Sequence, residues 1–265
     1  MRNIFSQGIA LSFGFCLWAG AAAGETKGCP SVEQIIEKAV EKSKLTLAQT
    51  AQPEYTFTKV TEREEFDSEG KIKEHKSSSN EMFFKSGITS RKPIQSAEPN
   101  SVAGGDEKKS NSLKSDKPKS SNRADYLNLL TPDMLAKYVF TLVARTTVNG
   151  RTAFEVDFTP KKRSSSGKTV VDRILNQAAG KLWIDAAEFE LARAQVHLDS
   201  EILFGGGILG SVKKAFFMLE RTRLPDGIWF DQRTRTDYEA RKLTESMRVI
   251  MKTESSGFRR RLREG

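Results

Sequence analysis

Apolar positions recur at helical spacing in one early segment and alternate along most of the chain after it. The apolar positions of the early segment are Ile35, Ile36, Ala39, Val40 and Leu47. Their spacing predicts a helix over 31–51, with Ser31 as its N-cap and Pro53 beyond its end. Lys and Glu fill the other side of this helix, so we expect its apolar side to lie on an apolar surface.

Alternation with period two predicts a series of antiparallel hairpins after this helix. Asn149-Gly150 is a strong signal for a type I′ turn between two of the strands. The strands are expected at 54–66, 71–85, 138–148, 151–159, 181–185, 190–202, 211–223, 227–238 and 245–258. Short helices are expected at 132–137 and 170–177. About nine strands without βα repeats indicate a meander.

Residues 1–23 have the composition of a cleaved secretory signal peptide. Arg2 gives a positive start, 9–18 form an apolar core, and 19–23 are small residues suited to cleavage. The apolar run is shorter than the roughly 20 residues that span a bilayer. We therefore expect export, with 24–265 as one mature β-rich domain.

Cleavage would leave Cys29 as the sole cysteine, so no internal disulfide is expected. Its thiol could be free or could crosslink two chains. Lipidation is a third alternative, although Thr26 and Lys27 do not suit the segment before a lipidated cysteine.

Residues 91–123 contain no aromatic residue, and their large apolar residues are Ile94, Val102 and Leu113. Such a segment cannot bury enough apolar surface to offset its ordering entropy, so we expect a disordered insertion. It serves either as a lysine-rich arm toward anionic surfaces or as unspecific padding. Residues 259–265 are expected to form a basic tail.

The formal net charge of +9 favours acidic partners, including an anionic membrane surface. The alternative is a solvated basic surface without a partner. Nucleic acid is not expected, because binding would use aromatic residues interleaved with basic ones, and export argues against it.

Gly205-x-Gly207-x-x-Gly210 has the spacing of a dinucleotide-binding loop. Such a loop needs a helix after it, to hold the pyrophosphate at the helix N-terminus. The alternating residues 211–223 predict a strand instead, so we reject nucleotide binding. Phe204, Ile208 and Leu209 make the loop apolar. It packs on its own sheet, forms the lip of an apolar cavity or meets a membrane.

Catalytic constellations are scarce in this sequence. His75 and His197 are isolated, and neither HExxH nor CxxC occurs. We expect no catalytic residue, no metal, no cofactor and no enzymatic activity.

Three segments together resemble a known family: "GRTAFEVDFTPKK", "GKLWIDAAEFELARAQVHL" and "FFMLERTRLPDGIWFDQRTRTDYEARKL". Their series of hairpins is similar to the LolA/LolB-like family of periplasmic carriers that sort outer-membrane lipoproteins. The resemblance implies an α+β fold that is mainly antiparallel β: a strongly curved open sheet, or half-barrel, whose concave face helices cover. It also implies a periplasmic protein, which we expect to be a monomer, that binds acyl chains between sheet and helices.

The sequence therefore predicts an exported carrier or binding protein for a lipid, a lipoprotein acyl chain or another apolar ligand. The alternative is an envelope sensor or interaction protein with the same fold and no transported cargo. The candidate cavity residues are Ile35, Val40, Phe154, Val156, Phe158, Trp183, Phe204, Ile208, Leu209, Phe217 and Trp229. Each of them could equally be a core residue.

Overall fold

The structure is a computed structural model that describes residues 30–48, 54–85, 88–93, 121–122, 130–162, 170–198, 200–243 and 245–261. Among the described residues, those from Ser31 onward form one compact unit. The predicted signal peptide, the Cys29 thiol, residues 94–120 of the predicted insertion and the last four residues of the predicted tail lie outside the described residues.

Three α-helices are described: α1 (Val32–Ala48), α2 (Pro132–Lys137) and α3 (Val170–Leu175). Ser31 caps α1 as predicted, because its Oγ accepts the N–H of Gln34 while the Gln34 side chain accepts the N–H of Ser31. No helix in the described part of the chain is long and apolar enough to cross a bilayer.

The described ranges contain twelve strands, which form one unclosed, curved antiparallel sheet. The strands are β1 (Glu54–Phe66), β2 (Ile72–Lys85), β3 (Ile88–Pro93), β4 (Ser121–Asn122), β5 (Tyr138–Val148), β6 (Arg151–Pro160), β7 (Ala178–Asp185), β8 (Leu191–Leu198), β9 (Ile202–Phe204), β10 (Gly210–Arg223), β11 (Trp229–Lys242) and β12 (Glu245–Arg261). Asn149 and Gly150 have φ values of 50° and 76°, as the predicted type I′ turn requires.

The strand order differs from the predicted meander. It runs β4-β3-β2-β1-β12-β11-β10-β8-β7-β6-β5, with β9 pairing β10 beside this path. The first strand thus pairs with the last, from Glu54 opposite Arg261 to Phe66 opposite Arg248. A pattern of local hairpins cannot predict this ladder, because it joins segments separated by most of the chain.

Several predicted boundaries also move. The expected strand 190–202 is divided into β8 and β9, and β3 and β4 include 91–93 and 121–122 from the predicted insertion. Residues 259–261, expected in the tail, continue β12 and pair with 54–56. Ladder hydrogen bonds use the backbone, so polar and basic sequences can extend a strand that already has a neighbour.

In the part of the chain that the structure describes, buried apolar residues form three clusters. The helix-side core consists of Ile35, Ile36, Ala39, Val40, Leu130, Tyr138, Phe154, Val156, Phe158, Leu182, Ile184, Leu191, Ala194 and Leu219. The aromatic core consists of Tyr55, Phe57, Met82, Phe84 and Phe230. The tryptophan cluster consists of Val148, Ala153, Trp183, Ala192 and Trp229. Side chains alternate along β6 and β7, so the helix-side core and the tryptophan cluster lie on opposite faces of the sheet.

Candidate functional site

Six of the predicted cavity residues meet where α1 packs on the sheet. Five of them are buried in the helix-side core: Ile35, Val40, Phe154, Val156 and Phe158. Phe217 of β10 is partly buried and packs against the same cluster. The helical spacing of α1 and the alternation of β6 therefore identified both sides of this contact.

Trp183 and Trp229, also predicted as cavity residues, do not belong to this group. Both are buried in the tryptophan cluster on the opposite face. Trp183 lies between Leu182 and Ile184 of the helix-side core, and neighbouring residues of a strand face opposite ways. The indole N–H of Trp229 donates to Glu188 Oε2 at 2.9 Å, and the Arg193 guanidinium lies 5.4 Å from the Trp183 ring centroid.

The remaining three candidates lie in the hairpin between β9 and β10. Phe204 is half-buried, whereas Ile208 and Leu209 are 77% and 64% exposed. The loop does not pack these two side chains onto its own sheet, contrary to that alternative. Gly205, Gly206 and Gly207 have φ values of 56°, 66° and 93°, a left-handed backbone that favours glycine. Strand β10 follows the loop, so the structure agrees with the rejection of a dinucleotide motif.

A neighbouring turn supports this loop. Arg241 donates from Nη2 to the carbonyl oxygen of Gly207 and from Nη1 to that of Leu243, both at 2.8 Å. The N–H of Leu243 donates to the carbonyl oxygen of Leu209 at 3.3 Å. The β9–β10 loop and the β11–β12 turn thus form one unit. We call Leu203, Ile208, Leu209 and Leu243, which are 47–77% exposed, the apolar tip.

A polar contact that the sequence pattern did not indicate ties α1 to the sheet. Thr46 of α1 donates its hydroxyl to Glu190 Oε1 at 2.9 Å, and Glu190 Oε2 pairs with Arg221 Nη1 at 3.1 Å. All three side chains are buried. Lys38 of α1 also lies over the Phe189 ring, 4.8 Å from its centroid. The segment 185–190 therefore anchors the helix.

The same segment also contains Asp185, whose carboxylate is held by an arginine and by backbone N–H groups. Burial by itself raises the pKa of Asp185, but the Arg151 guanidinium and the N–H groups of Glu188 and Ala187 outweigh it and hold that pKa below its ordinary value. Arg151 approaches the carboxylate through two nitrogens, at 2.6 and 2.9 Å. Glu188 accepts the Arg223 side chain at 2.5 Å. These contacts fix the turn between β7 and β8.

The sequence pattern did not lead us to predict the aromatic core. Phe230 lies at its centre, with the rings of Tyr55, Phe84 and Phe258 each 5.1 Å from its own. The Tyr55 hydroxyl donates to Asp226 in the β10–β11 turn. The sequence signal that could have predicted it is two apolar pairs with a spacing of two residues, Tyr55/Phe57 on β1 and Met82/Phe84 on the adjacent strand β2.

Open pockets of about 360, 250 and 280 Å³ are found on the described surface. Charged side chains line each of them, including Lys213 and Glu239 in the pocket of about 360 Å³. Within the described ranges, no three His, Cys, Asp or Glu side chains could hold a metal ion. His75 lies on β2 and His197 on β8, two strands that do not pair.

The sequence matches no protein-family model and no curated protein. Solved structures to which the chain is similar include a DUF1329 family protein from Desulfovibrio piger, at 13% identity over 87% of this chain and 95% of that chain, with a TM-score of 0.39. Another is a LolA superfamily protein from Nitrosomonas europaea, at 10% identity over 88% and 95%, with a TM-score of 0.31. A third is an outer membrane lipoprotein-sorting protein domain from Vibrio parahaemolyticus, at 13% identity over 87% and 95%, with a TM-score of 0.34.

The similarity to LolA-like proteins inferred from the hairpin segments is thus found again among solved structures.

Proposed function

We propose that this chain is an exported carrier or binding protein that takes an acyl chain or another apolar ligand between α1 and the sheet. The observation that carries the proposal is the composition of the helix-side core. Its buried residues are apolar apart from the Tyr138 hydroxyl, and they form one surface across β6, β7, β8 and β10. The helix-covered face would be the concave one.

Entry of a ligand requires α1 to move. The helix contributes four side chains to this core, and two of them, Ala39 and Val40, are small. An acyl chain could replace these contacts, since each buried methylene contributes about 0.8 kcal/mol. The Thr46–Glu190 hydrogen bond would then keep the C-terminal end of α1 on the sheet while the rest of the helix moves.

Export to the periplasm and the absence of enzymatic activity are parts of the same proposal. The charged start, apolar core and small residues of 1–23 support export. The separation of His75 and His197, on strands β2 and β8, supports a non-catalytic role.

A fluorescence experiment tests the proposed site, because both native tryptophans of the mature domain lie on the opposite face. Phe217→Trp would place a reporter beside the helix-side core. A brominated fatty acid should quench this reporter strongly, while Trp183 and Trp229 of the unmodified protein serve as the matched control and should be quenched little. Equal quenching of the native tryptophans would indicate that the ligand binds on the opposite face of the sheet, contrary to the proposal.

An envelope sensor or interaction protein is the second candidate. The observation that favours it is the close packing of the helix-side core, where Ile35, Val156 and Ile184 are each 0% exposed. Native mass spectrometry of protein purified from the envelope separates the two. Co-purified lipid supports the carrier, whereas a bound protein with no lipid and no quenching at position 217 supports the sensor.

A further inference from the structure

One end of the helix-side core is closed by an aromatic ring of the segment 185–190. Phe189 of this segment is partly buried against the core, and its ring stacks on that of the buried Phe154, with 6.3 Å between the centroids. The N–H of Ala186 donates to the carbonyl oxygen of Thr152 at 2.9 Å, which ties the segment to β6. The φ of Phe189 is 54°, which a bulky residue rarely adopts, so the surrounding structure holds the ring in this place.

Two cationic side chains lie over these stacked rings. Lys38 Nζ of α1 is 4.8 Å from the centroid of Phe189, and the guanidinium carbon of Arg145 of β5 is 5.0 Å from that of Phe154. Both cations are exposed, and within the described ranges neither has an ion pair or a hydrogen bond. A phenyl ring carries no net charge, so these contacts hold the cations in place without neutralising them.

The side of α1 that faces this segment is basic. Lys38, Lys42 and Thr46 are spaced four residues apart and so follow one line along the helix. Lys38 contacts Phe189 and Thr46 contacts Glu190, which places the whole line beside the segment. Lys42 also has no ion pair or hydrogen bond among the residues that the structure describes. The carboxylates of α1 follow a separate line that is exposed to solvent: Glu33, Glu37 and Glu41.

The carboxylates of the segment 185–190 do not neutralise these cations, because each has an arginine of its own. The pairs are Asp185 with Arg151, Glu188 with Arg223 and Glu190 with Arg221. Lys38, Lys42 and Arg145 therefore leave an excess of positive charge where the core meets the surface.

We propose that this end of the core is the mouth of the ligand site, and that Lys38 and Arg145 bind an anionic head group, a carboxylate or a phosphate. The inference rests on the proposed function and narrows its ligand from any apolar molecule to an anionic amphiphile. Ammonium and guanidinium groups donate charge-assisted hydrogen bonds to such oxygens. The acyl chain would pass Phe189 into the helix-side core, and Lys42 would add to the attraction of the head group.

Quenching of the Phe217→Trp reporter tests the head-group site separately from the chain site. A brominated fatty acid should bind about tenfold more tightly than its methyl ester, which has the same chain and no charge. Lys38→Gln/Arg145→Gln should lower the affinity for the acid by about tenfold and leave that for the ester unchanged, because two exposed cations each contribute about fivefold or less. Added salt should weaken the binding of the acid only.

Lys44→Gln/Arg259→Gln is the matched control. It also removes one exposed lysine of α1 and one exposed arginine of a strand, but Lys44 is not on the Lys38 line and Arg259 pairs with Thr56 of β1. This control should bind the acid like the reporter protein. Circular dichroism should show both double variants folded, because the replaced side chains are exposed. If the first does not fold, the single variants Lys38→Gln and Arg145→Gln, each with a loss of about threefold, replace it.

Competition separates the two sources of the anion. Lysophosphatidylglycerol that displaces the brominated acid from the reporter protein, and displaces it less well from an ester-competent Lys38→Gln/Arg145→Gln variant, supports a phosphate head group. Displacement by unbrominated fatty acid alone supports a carboxylate. Inorganic phosphate has no acyl chain and should displace neither ligand.

Two results would overturn the head-group site and leave the proposed function standing. They are equal affinities for the acid and the ester, and an equal loss of acid binding in Lys38→Gln/Arg145→Gln and in the control. A reporter that neither ligand quenches would overturn both the head-group site and the proposed function.

Discussion

Arg221 and Glu190 form an ion pair in the interior, with 3.1 Å between Nη1 and Oε2 and side-chain exposures of 1% and 5%. Arg221 also donates to the carbonyl oxygens of Leu191 and Trp229, at 3.1 and 3.2 Å. Glu190 accepts the Thr46 hydroxyl. One guanidinium therefore connects β8, β10 and β11 and, through Glu190, the helix α1.

Removal of Glu190 should destabilise the fold strongly. Glu190→Ala leaves the buried Arg221 charge with one carboxylate, that of Asp231, which lies 3.2 Å from its Nε and is 30% exposed. The loss in the free energy of unfolding should therefore lie near the lower end of about 3–5 kcal/mol. Urea denaturation measures it. Glu254→Ala is the control, because Glu254 pairs with Arg233 at side-chain exposures of 57% and 51%, where a pair contributes about 1 kcal/mol or less. A loss at position 190 as small as the control would show that the pair is not structural.

Gly180 should tolerate no side chain. A Cβ atom at this position of β7 would lie 1.9 Å from the carbonyl oxygen of Gln195, a backbone atom of the adjacent strand. Gly180→Ala should lower the free energy of unfolding by about 3 kcal/mol or more, the upper end of the cost of overpacking. Gly206→Ala is a contrast, since its Cβ would meet open space and its φ of 66° costs about 1–2 kcal/mol. Equal thermal midpoints for the two variants would argue against the close approach of β7 and β8.

Tyr138 should ionise late in alkaline titration. Burial raises its pKa from 10.0 to about 12, and its hydroxyl donates to the carbonyl oxygen of Leu175. The folded protein holds this proton more tightly than the unfolded chain. The stability that results is complete below pH 10.0 and is lost as the pH rises toward about 12. Tyrosinate absorbance measures the ionisation, and Tyr138→Phe should remove the last step; an unchanged profile would contradict the assignment.

Asp185 should contribute to acid unfolding. Its pKa is held below the ordinary value of 3.8 because Arg151 and two backbone N–H groups outweigh the opposing effect of burial. A depressed carboxyl pKa stabilises the fold above the unfolded-state pKa, and that stability is lost as the pH falls through the folded-state pKa. Asp185→Asn should therefore flatten the dependence of stability on pH below about 4. If stability falls equally in both proteins as the pH is lowered, other carboxylates cause the loss of stability in acid.

The helix α1, the strands β1, β5 and β6 and the Asn149-Gly150 turn follow from the sequence alone. Their signals are local: a capping residue, a helical or alternating period, and two residues that accept positive φ. The same periods placed Ile35, Val40 and Phe154 in one contact, because a residue's own position in its period decides which face it joins.

Tertiary structure decided the rest. The β1–β12 ladder joins the two ends of the domain, and no local period specifies which distant edge a strand meets. Trp183 looked like a lining residue by its apolar character, but the register of β7 turns it to the other face. Arg221 lies on the strand β10, and it is buried because Glu190, Leu191 and Trp229 supply its hydrogen bonds from the starts of β8 and β11. Partners so far apart in the sequence meet only when the whole sheet forms, which is why their contacts cannot be read from any one segment.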